Sequence, residues 1–192
     1  VELFLYLEFN MIKTGKFLIA TPTIIGDYNF QRSCVLLVDV KKSGTVGFIL
    51  NKPLEYTLDD LMDTVTIPYP VYYGGPVEPD NLFFIHSMGS LIPNSIHLRD
   101  NLYWSGDFEA VLDLIESGQL AQDQIRFFLG YSGWSEGQLE SEIQEDSWVI
   151  SDYIIPEDWM VQPSEDFWKN QMRALGGNYL LWSNAPENPM SN

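Results

Sequence analysis

The chain has 192 residues, 45% of them hydrophobic and 14% aromatic, and 27 Asp and Glu outweigh 10 Lys and Arg for a formal charge of -17. A chain of this length can bury about 70% of its unfolded surface without staples, so one compact domain is expected. The acidic excess argues against direct binding to nucleic acid or to anionic membrane surfaces, both of which draw on Lys and Arg; the single Cys34 allows neither an internal disulfide nor a Cys-type zinc site and points to a reducing cytoplasm.

In chain order, Val1 to Asn10 (VELFLYLEFN) is apolar with Glu2 and Glu8 embedded. It lacks the basic segment and cleavage site of a signal peptide and is too short to span a bilayer. With the first methionine at Met11, an alternative start or an upstream extension is the preferred reading and an added edge strand the other, so residues 1–15 are set apart as an N-terminal extension. A single domain is expected over 16–182.

Phe17 to Ala20 reads as a strand, and the β-branched run Cys34 to Val40 with Thr45 to Leu50 reads as a hairpin turning at Lys41-Lys42-Ser43-Gly44. Asn51-Lys52-Pro53 ends that hairpin, because proline cannot donate to a ladder. Thr57-x-x-Asp60 has capping-box spacing for a short helix over Leu58, Leu61 and Met62. Val71 to Tyr73 and Leu82 to His86 are two more strands, flanking a tight Gly74-Gly75-Pro76-Val77 excursion.

Phe108, Val111, Leu112 and Ile115 fall at helical spacing between Asp107 as N-cap and Gly118 as stop, predicting a helix over about 108–117. Ile125 to Gly130 is a buried strand. Ser135-x-x-Gln138 repeats the capping spacing, and Leu139 with Ile143 marks a helix to about Asp146. A last helix over Glu165 to Leu175 is capped by Ser164 and stopped by Gly176-Gly177, and residues 183–192 form a loose polar tail. Residues 1–56 hold six basic and five acidic side chains, whereas residues 57–192 hold four and 22. The lysines around the first turn, Lys41, Lys42 and Lys52, read as a solvated edge.

Candidate chemistry is sparse. Gly130-Tyr131-Ser132-Gly133-Trp134 sits where a nucleophile elbow would, but the position two after the serine is Trp134 rather than glycine, and only His86 and His97 could serve as a base. Glu136, Glu140, Glu142, Glu145 and Asp146 crowd one helix without any metal-ligand spacing, so no metal site is assigned. Gly130, Gly133 and Gly137 match no phosphate-loop pattern, and Gly137 inside a first helical turn suggests a close approach there, more readily by a strand than by a ligand. No cofactor is expected.

Five blocks occur in order: Phe17-Leu18-Ile19-Ala20-Thr21-Pro22, Phe30-Gln31-Arg32-Ser33-Cys34-Val35, Gly44 to Pro53, Gly74 to Val77, and Phe128 to Ile143. Together they resemble the YqgE/AlgH family of bacterial proteins over about Lys16 to Leu175. The resemblance implies an α+β fold in which a strongly bent or bifurcated mixed sheet forms a small β-barrel-like core surrounded by helices. It implies a cytosolic protein, brings a transcriptional-regulator label that derives from a genetic phenotype, and carries over no catalytic residue. Asp39-Val40 stands where Glu-His is common in the family, which weakens any histidine role at that strand end. No helix-turn-helix is present, so regulation would act through another protein.

Asn51, Gly74, Gly75, Tyr131, Gly133, Trp134, Gln138 and Glu140 lie at predicted strand ends and loop-to-helix junctions and are the candidate groove for a small molecule or peptide. The expected function is a non-enzymatic binding or regulatory protein with a protein or small-molecule partner. One alternative is a hydrolase or transferase using His86 or the Glu140/Glu142 pair, although those carboxylates point about 200° apart on a helix. Another is an assembly subunit anchored by Trp104, Trp148, Trp159, Trp168 and Trp182; oligomeric state stays open.

Overall fold

The computed structural model describes residues 12–24, 26–154, 159–160 and 166–184. The strands are β1 (Phe17–Ala20), β2 (Cys34–Lys41), β3 (Gly44–Ile49), β4 (Pro53–Thr57), β5 (Pro70–Tyr73), β6 (Val77–His86), β7 (Ile96–Arg99), β8 (Leu102–Trp104), β9 (Ile125–Ser135) and β10 (Trp148–Ser151). The helices are α1 (Leu58–Leu61), α2 (Phe108–Glu116), α3 (Gln138–Gln144), α4 (Phe167–Leu175) and α5 (Tyr179–Trp182). The fold is α+β with one mixed, mainly antiparallel sheet.

The sheet forks at β9. Its first half pairs on one edge with β6, antiparallel, and on the other with β5, parallel through Val71↔Phe127 to Tyr73↔Leu129. Its second half, Ser132 to Ser135, leaves β5 and pairs with β3 through Gly47 to Gly44. One branch runs β10-β1-β2-β3-β9, the other continues β9-β6-β8-β7, and β4 joins through β5. This is the bifurcated mixed sheet that the family resemblance implies. The end strands β10 and β7 do not pair with each other, so the described ladder does not close into a barrel.

Strand periodicity explains where the core sits, because alternate residues face opposite sides of a sheet. Phe17, Ile19, Cys34, Leu36, Phe48, Tyr72, Ile85 and Phe128 all face one inner core that spans both branches, and α4 closes it with Phe167, Trp168 and Met172. On the outer face of the first branch, Leu18, Val35, Leu37 and Ile49 pack under Trp134, Leu139 and Trp148. Behind the second branch, Val71, Phe84 and Phe127 are covered by Leu58 of α1 and by Val111 and Ile115 of α2. Strands buried on both faces read as continuous apolar runs, which is why β1 and β2 were legible.

Several details differ from the sequence reading. The hairpin ends at Ile49, ahead of Asn51-Lys52-Pro53 as expected, but Pro53 also opens a new strand: among the described residues β4 pairs with β5 alone, and an edge strand tolerates a first-position proline. β9 continues beyond Gly130 to Ser135, so Gly130-Tyr131-Ser132-Gly133-Trp134 lies within a strand and, as its letters already indicate, forms no nucleophile elbow. α3 starts after a left-handed Gly137 (φ 75°) instead of at a Ser135 N-cap, yet Gln138 Oε1 still accepts from the Ser135 N–H at 3.0 Å. Nothing lies within 4 Å of a Cβ built on Gly137, so positive φ, not a close approach, accounts for that glycine. Residues 12–15, expected within the extension, are tied to the domain by the buried Ile12 and by Gly15 N–H donating to Leu37 O at 2.8 Å. Ser183, expected at the start of the loose tail, is buried and donates to Leu180 O. The expectations for residues 1–10, Ser164 and 185–192 lie outside the described residues.

Candidate functional site

Two groups emerge among the eight candidate residues. Gly74, Gly75 and Tyr131 meet at the fork. Gly74 N–H donates to Leu129 O at 2.8 Å, while its carbonyl accepts from Ile49 N–H at 3.0 Å and from the Ser132 hydroxyl at 3.0 Å, so one residue joins β3 to both halves of β9. A Cβ on Gly74 would stand 2.2 Å from Gly130 O, and one on Gly75 (φ 151°) 2.3 Å from Tyr131 O. Backbone therefore fills the space where a ligand at these glycines would sit. Gly133 shares the Tyr131 side of β9, its Cβ position lying 3.3 Å from that ring.

Trp134 faces the opposite side of β9, as the period of two requires, and belongs to the second group. Its indole N–H donates to Glu142 Oε2 at 2.9 Å, the Trp148 indole N–H donates to the same oxygen at 2.7 Å, and Gln138 Nε2 donates to Oε1 at 2.9 Å. One carboxylate thus accepts three hydrogen bonds over a cluster in which Phe30, Trp134 and Trp148 rings stand 5.6–5.9 Å apart. Glu140 is half-buried on the same helix but outside this network. Asn51 lies elsewhere: its side chain accepts from Cys34 N–H at 2.8 Å and donates to Arg32 O at 2.9 Å, tying the start of β2 to the end of β3.

His86 is fully buried. Met88 N–H donates to its Nδ1 at 3.2 Å, which assigns the proton to Nε2, facing Ser105 O at 3.2 Å and Ser95 Oγ at 2.9 Å. Ser95 Oγ already donates to Ile92 O, so it accepts from the ring. Burial lowers the His86 pKa below the ordinary imidazole value. His86 pairs with Ile125 across the ladder, whereas Ser132 lies seven residues further along β9, about 20 Å away at ~3.3 Å per residue. The structure does not bring Ser132 and His86 together. Of the tryptophans proposed as anchors, Trp148, Trp159 and Trp168 are buried within the chain's own core and Trp104 and Trp182 are half-buried. Among the described residues no three His, Cys, Asp or Glu side chains converge as metal ligands.

Beside the Glu142 cluster runs a cleft of about 450 Å³ between β10 and the α4–α5 corner, lined by Ile143, Asp146, Trp148, Ile150, Tyr179 and Trp182. Among the described residues, β10 pairs with β1 alone. Thr21 N–H donates to Ser147 O, so in this antiparallel register the odd positions 147, 149 and 151 turn their backbone groups towards β1, and Trp148 and Ile150 turn theirs towards the cleft. The sequence reading passed over β10, a four-residue strand, and over Arg126, a charged side chain inside the apolar run Ile125 to Gly130. A lone arginine in a buried strand was the available signal.

A family model described as AlgH-like matches residues 17–180. A UPF0301 protein of Cytophaga hutchinsonii is 44% identical over 184 residues, covering 95% of this chain and 100% of that one. A UPF0301 protein of Parabacteroides distasonis is 40% identical over 181 residues, covering 93% and 90%. Among solved structures, the solution structure of AlgH from Pseudomonas aeruginosa superposes with a TM-score of 0.67 at 28% identity, covering 90% of this chain and 93% of that one. A crystal structure of a Corynebacterium diphtheriae protein reaches a TM-score of 0.73 at 23% identity, covering 93% and 97%, and shares the fold. Among the described residues no helix is long and apolar enough to cross a membrane.

Proposed function

We propose, from the premise that this chain belongs to the AlgH-like family, that it is a cytoplasmic binding protein that acts through a protein partner, and that the partner seats an extended basic segment along β10. The observation that carries this reading is the outward edge of β10 beside an open cleft. A strand edge offers backbone donors and acceptors at regular spacing, and a cleft beside it offers pockets for alternate side chains, which is how extended peptides are recognised by strand addition. Charge decides the kind of segment. Residues 136–146 carry Glu136, Glu140, Glu142, Glu145 and Asp146 and no basic residue, so a Lys- or Arg-bearing strand is attracted and an acidic one repelled. Tyr179 and Trp182, at the far wall, supply aromatic surface for its apolar positions. The free, buried Cys34 suits a reducing compartment.

The test is a titration of short extended peptides alternating Lys and Val, followed by amide NMR. Binding should shift and protect the Trp148 and Ile150 amides, weaken with salt, and vanish in Ile150→Pro, which removes an outward N–H while leaving the β1-facing bonds of 149 and 151 intact. Ile150→Val should bind as the parent does. Peptides that bind with no change at 148–150, or that bind Ile150→Pro equally well, would refute the reading.

A further inference from the structure

Among the described residues Arg126 is the one large cation inside the core, 2% exposed. Nη1 donates to Leu50 O at 2.8 Å and Nη2 donates to Trp159 O. The guanidinium carbon lies 4.1 Å from the Tyr72 ring centroid and 5.0 Å from that of Trp159. Among the described residues the buried Nε has no hydrogen-bond partner and no carboxylate pairs with the group. A buried cation held, among the described residues, by carbonyls and ring faces is an unusual arrangement, since burial of a charge is normally balanced by an opposite one. Burial lowers its pKa to about 10, so it is still charged at neutral pH.

Arg126 also lines a cavity of about 300 Å³ together with Pro70, Tyr72, Gln122, Ile125 and Met160, and with Asp123 at an exposed position. The volume suits a small organic molecule. Apolar and aromatic walls suit a short hydrocarbon or ring body, and the planar guanidinium of Arg126, which lines the cavity, carries N–H donors that match a carboxylate's oxygens. We propose that this cavity is a binding site for a small apolar carboxylate, whose carboxylate group pairs with the Arg126 guanidinium at the cavity wall. The site is separate from the β10 edge and stands without it. Asp123 opposes the bound charge, and Gln122, whose Nε2 donates to Pro68 O at 3.0 Å, borders the same cavity.

The probes are sodium benzoate and sodium acetate, with sodium chloride and sodium phosphate at matched ionic strength. Arginine side-chain Nε–H resonances are followed by NMR. Benzoate is expected to shift the Arg126 Nε–H saturably and to bind more tightly than acetate, while chloride and phosphate leave it in place. Asp123→Asn, at an exposed position, should tighten benzoate binding several-fold by removing the opposing charge. Arg126→Lys, which keeps the charge but loses the fork, should weaken it by about tenfold or more. If Arg126→Lys does not fold, the Nε–H shift and the Asp123→Asn gain still decide the matter. An unmoved Arg126 resonance at saturating benzoate, an equal response to chloride or phosphate, or no gain in Asp123→Asn would overturn the proposal.

Discussion

At the scale of single residues, two buried groups give sharp expectations. His86 is held neutral by burial, with its Nδ1 and Nε2 both engaged. Its folded pKa lies below the unfolded value of about 6.5, so the unfolded chain takes up a proton that the folded ring refuses. His86 therefore favours the fold fully above about pH 6.5, and its contribution is lost as pH falls from there towards the depressed folded value. Urea unfolding of the parent and of His86→Asn, compared at pH 7.5 and 5.5 in the usual range for imidazole titration, should show a larger loss in the parent; parallel losses would refute the assignment. Cys34 behaves differently. Burial pushes its thiol far up, out of the range in which thiolate forms at neutral pH, so a thiol reagent should label it only as fast as the chain opens. Labelling of the folded protein at the rate of a free thiol would contradict the buried position. Glu142 combines both scales, because one side chain satisfies two indole N–H groups. Glu142→Ala leaves both without an acceptor and should cost about 2–4 kcal/mol in denaturant unfolding, whereas Glu142→Gln keeps an acceptor and should cost less.

At the scale of elements, the glycines sort by what surrounds them. Gly74→Ala drives a methyl to within 2.2 Å of Gly130 O at the fork, and because backbone cannot step aside the variant should fail to fold or lose more than about 3 kcal/mol. Gly137→Ala meets nothing within 4 Å and should cost only the left-handed penalty of about 1–2 kcal/mol. Comparable losses in the two, measured by thermal unfolding, would refute this division. The same contrast explains what was legible. β1, the β2–β3 hairpin and α2 carry their own signals: continuous apolar runs, a turn, and an Asp107 cap that accepts from Glu109 N–H at 3.0 Å. β7 and β8 are short and only partly buried, so no period shows. Glycines usually punctuate strands, so the sequence reads β9 as ending at Gly130, whereas Gly130 is needed inside the strand for its positive φ (68°) and because a Cβ there would stand 2.3 Å from Gly75 O. The candidate residues were visible as a group of polar and glycine positions, but sequence alone could not say that Tyr131 and Trp134 face opposite sides of a strand, since their segment read as a loop. Arg126 needed the folded molecule to reveal its unpaired nitrogen.

At the scale of the whole molecule, the inner core belongs to both branches at once. Phe48 stacks on Phe128 at 4.9 Å across the fork, so neither branch can keep its inner face without the other. Phe48→Leu should lower stability by about 1–3 kcal/mol while leaving a single transition, with tryptophan fluorescence and far-ultraviolet circular dichroism coincident. Two separated transitions would mean that the branches unfold independently. The order of strands along the chain adds a matter of timing. β3 is complete at Ile49, but the partner for its outer edge, Ser132 to Ser135, lies more than 80 residues later. At about 5–20 residues per second, a ribosome leaves that apolar hairpin with an open edge for roughly 4–17 s on every round of synthesis. The acidic second half arrives last and closes the gap. Ribosome-bound chains halted after α1 should therefore recruit chaperones, and chains halted beyond α5 should not; equal recruitment would show that the early hairpin protects its own edge.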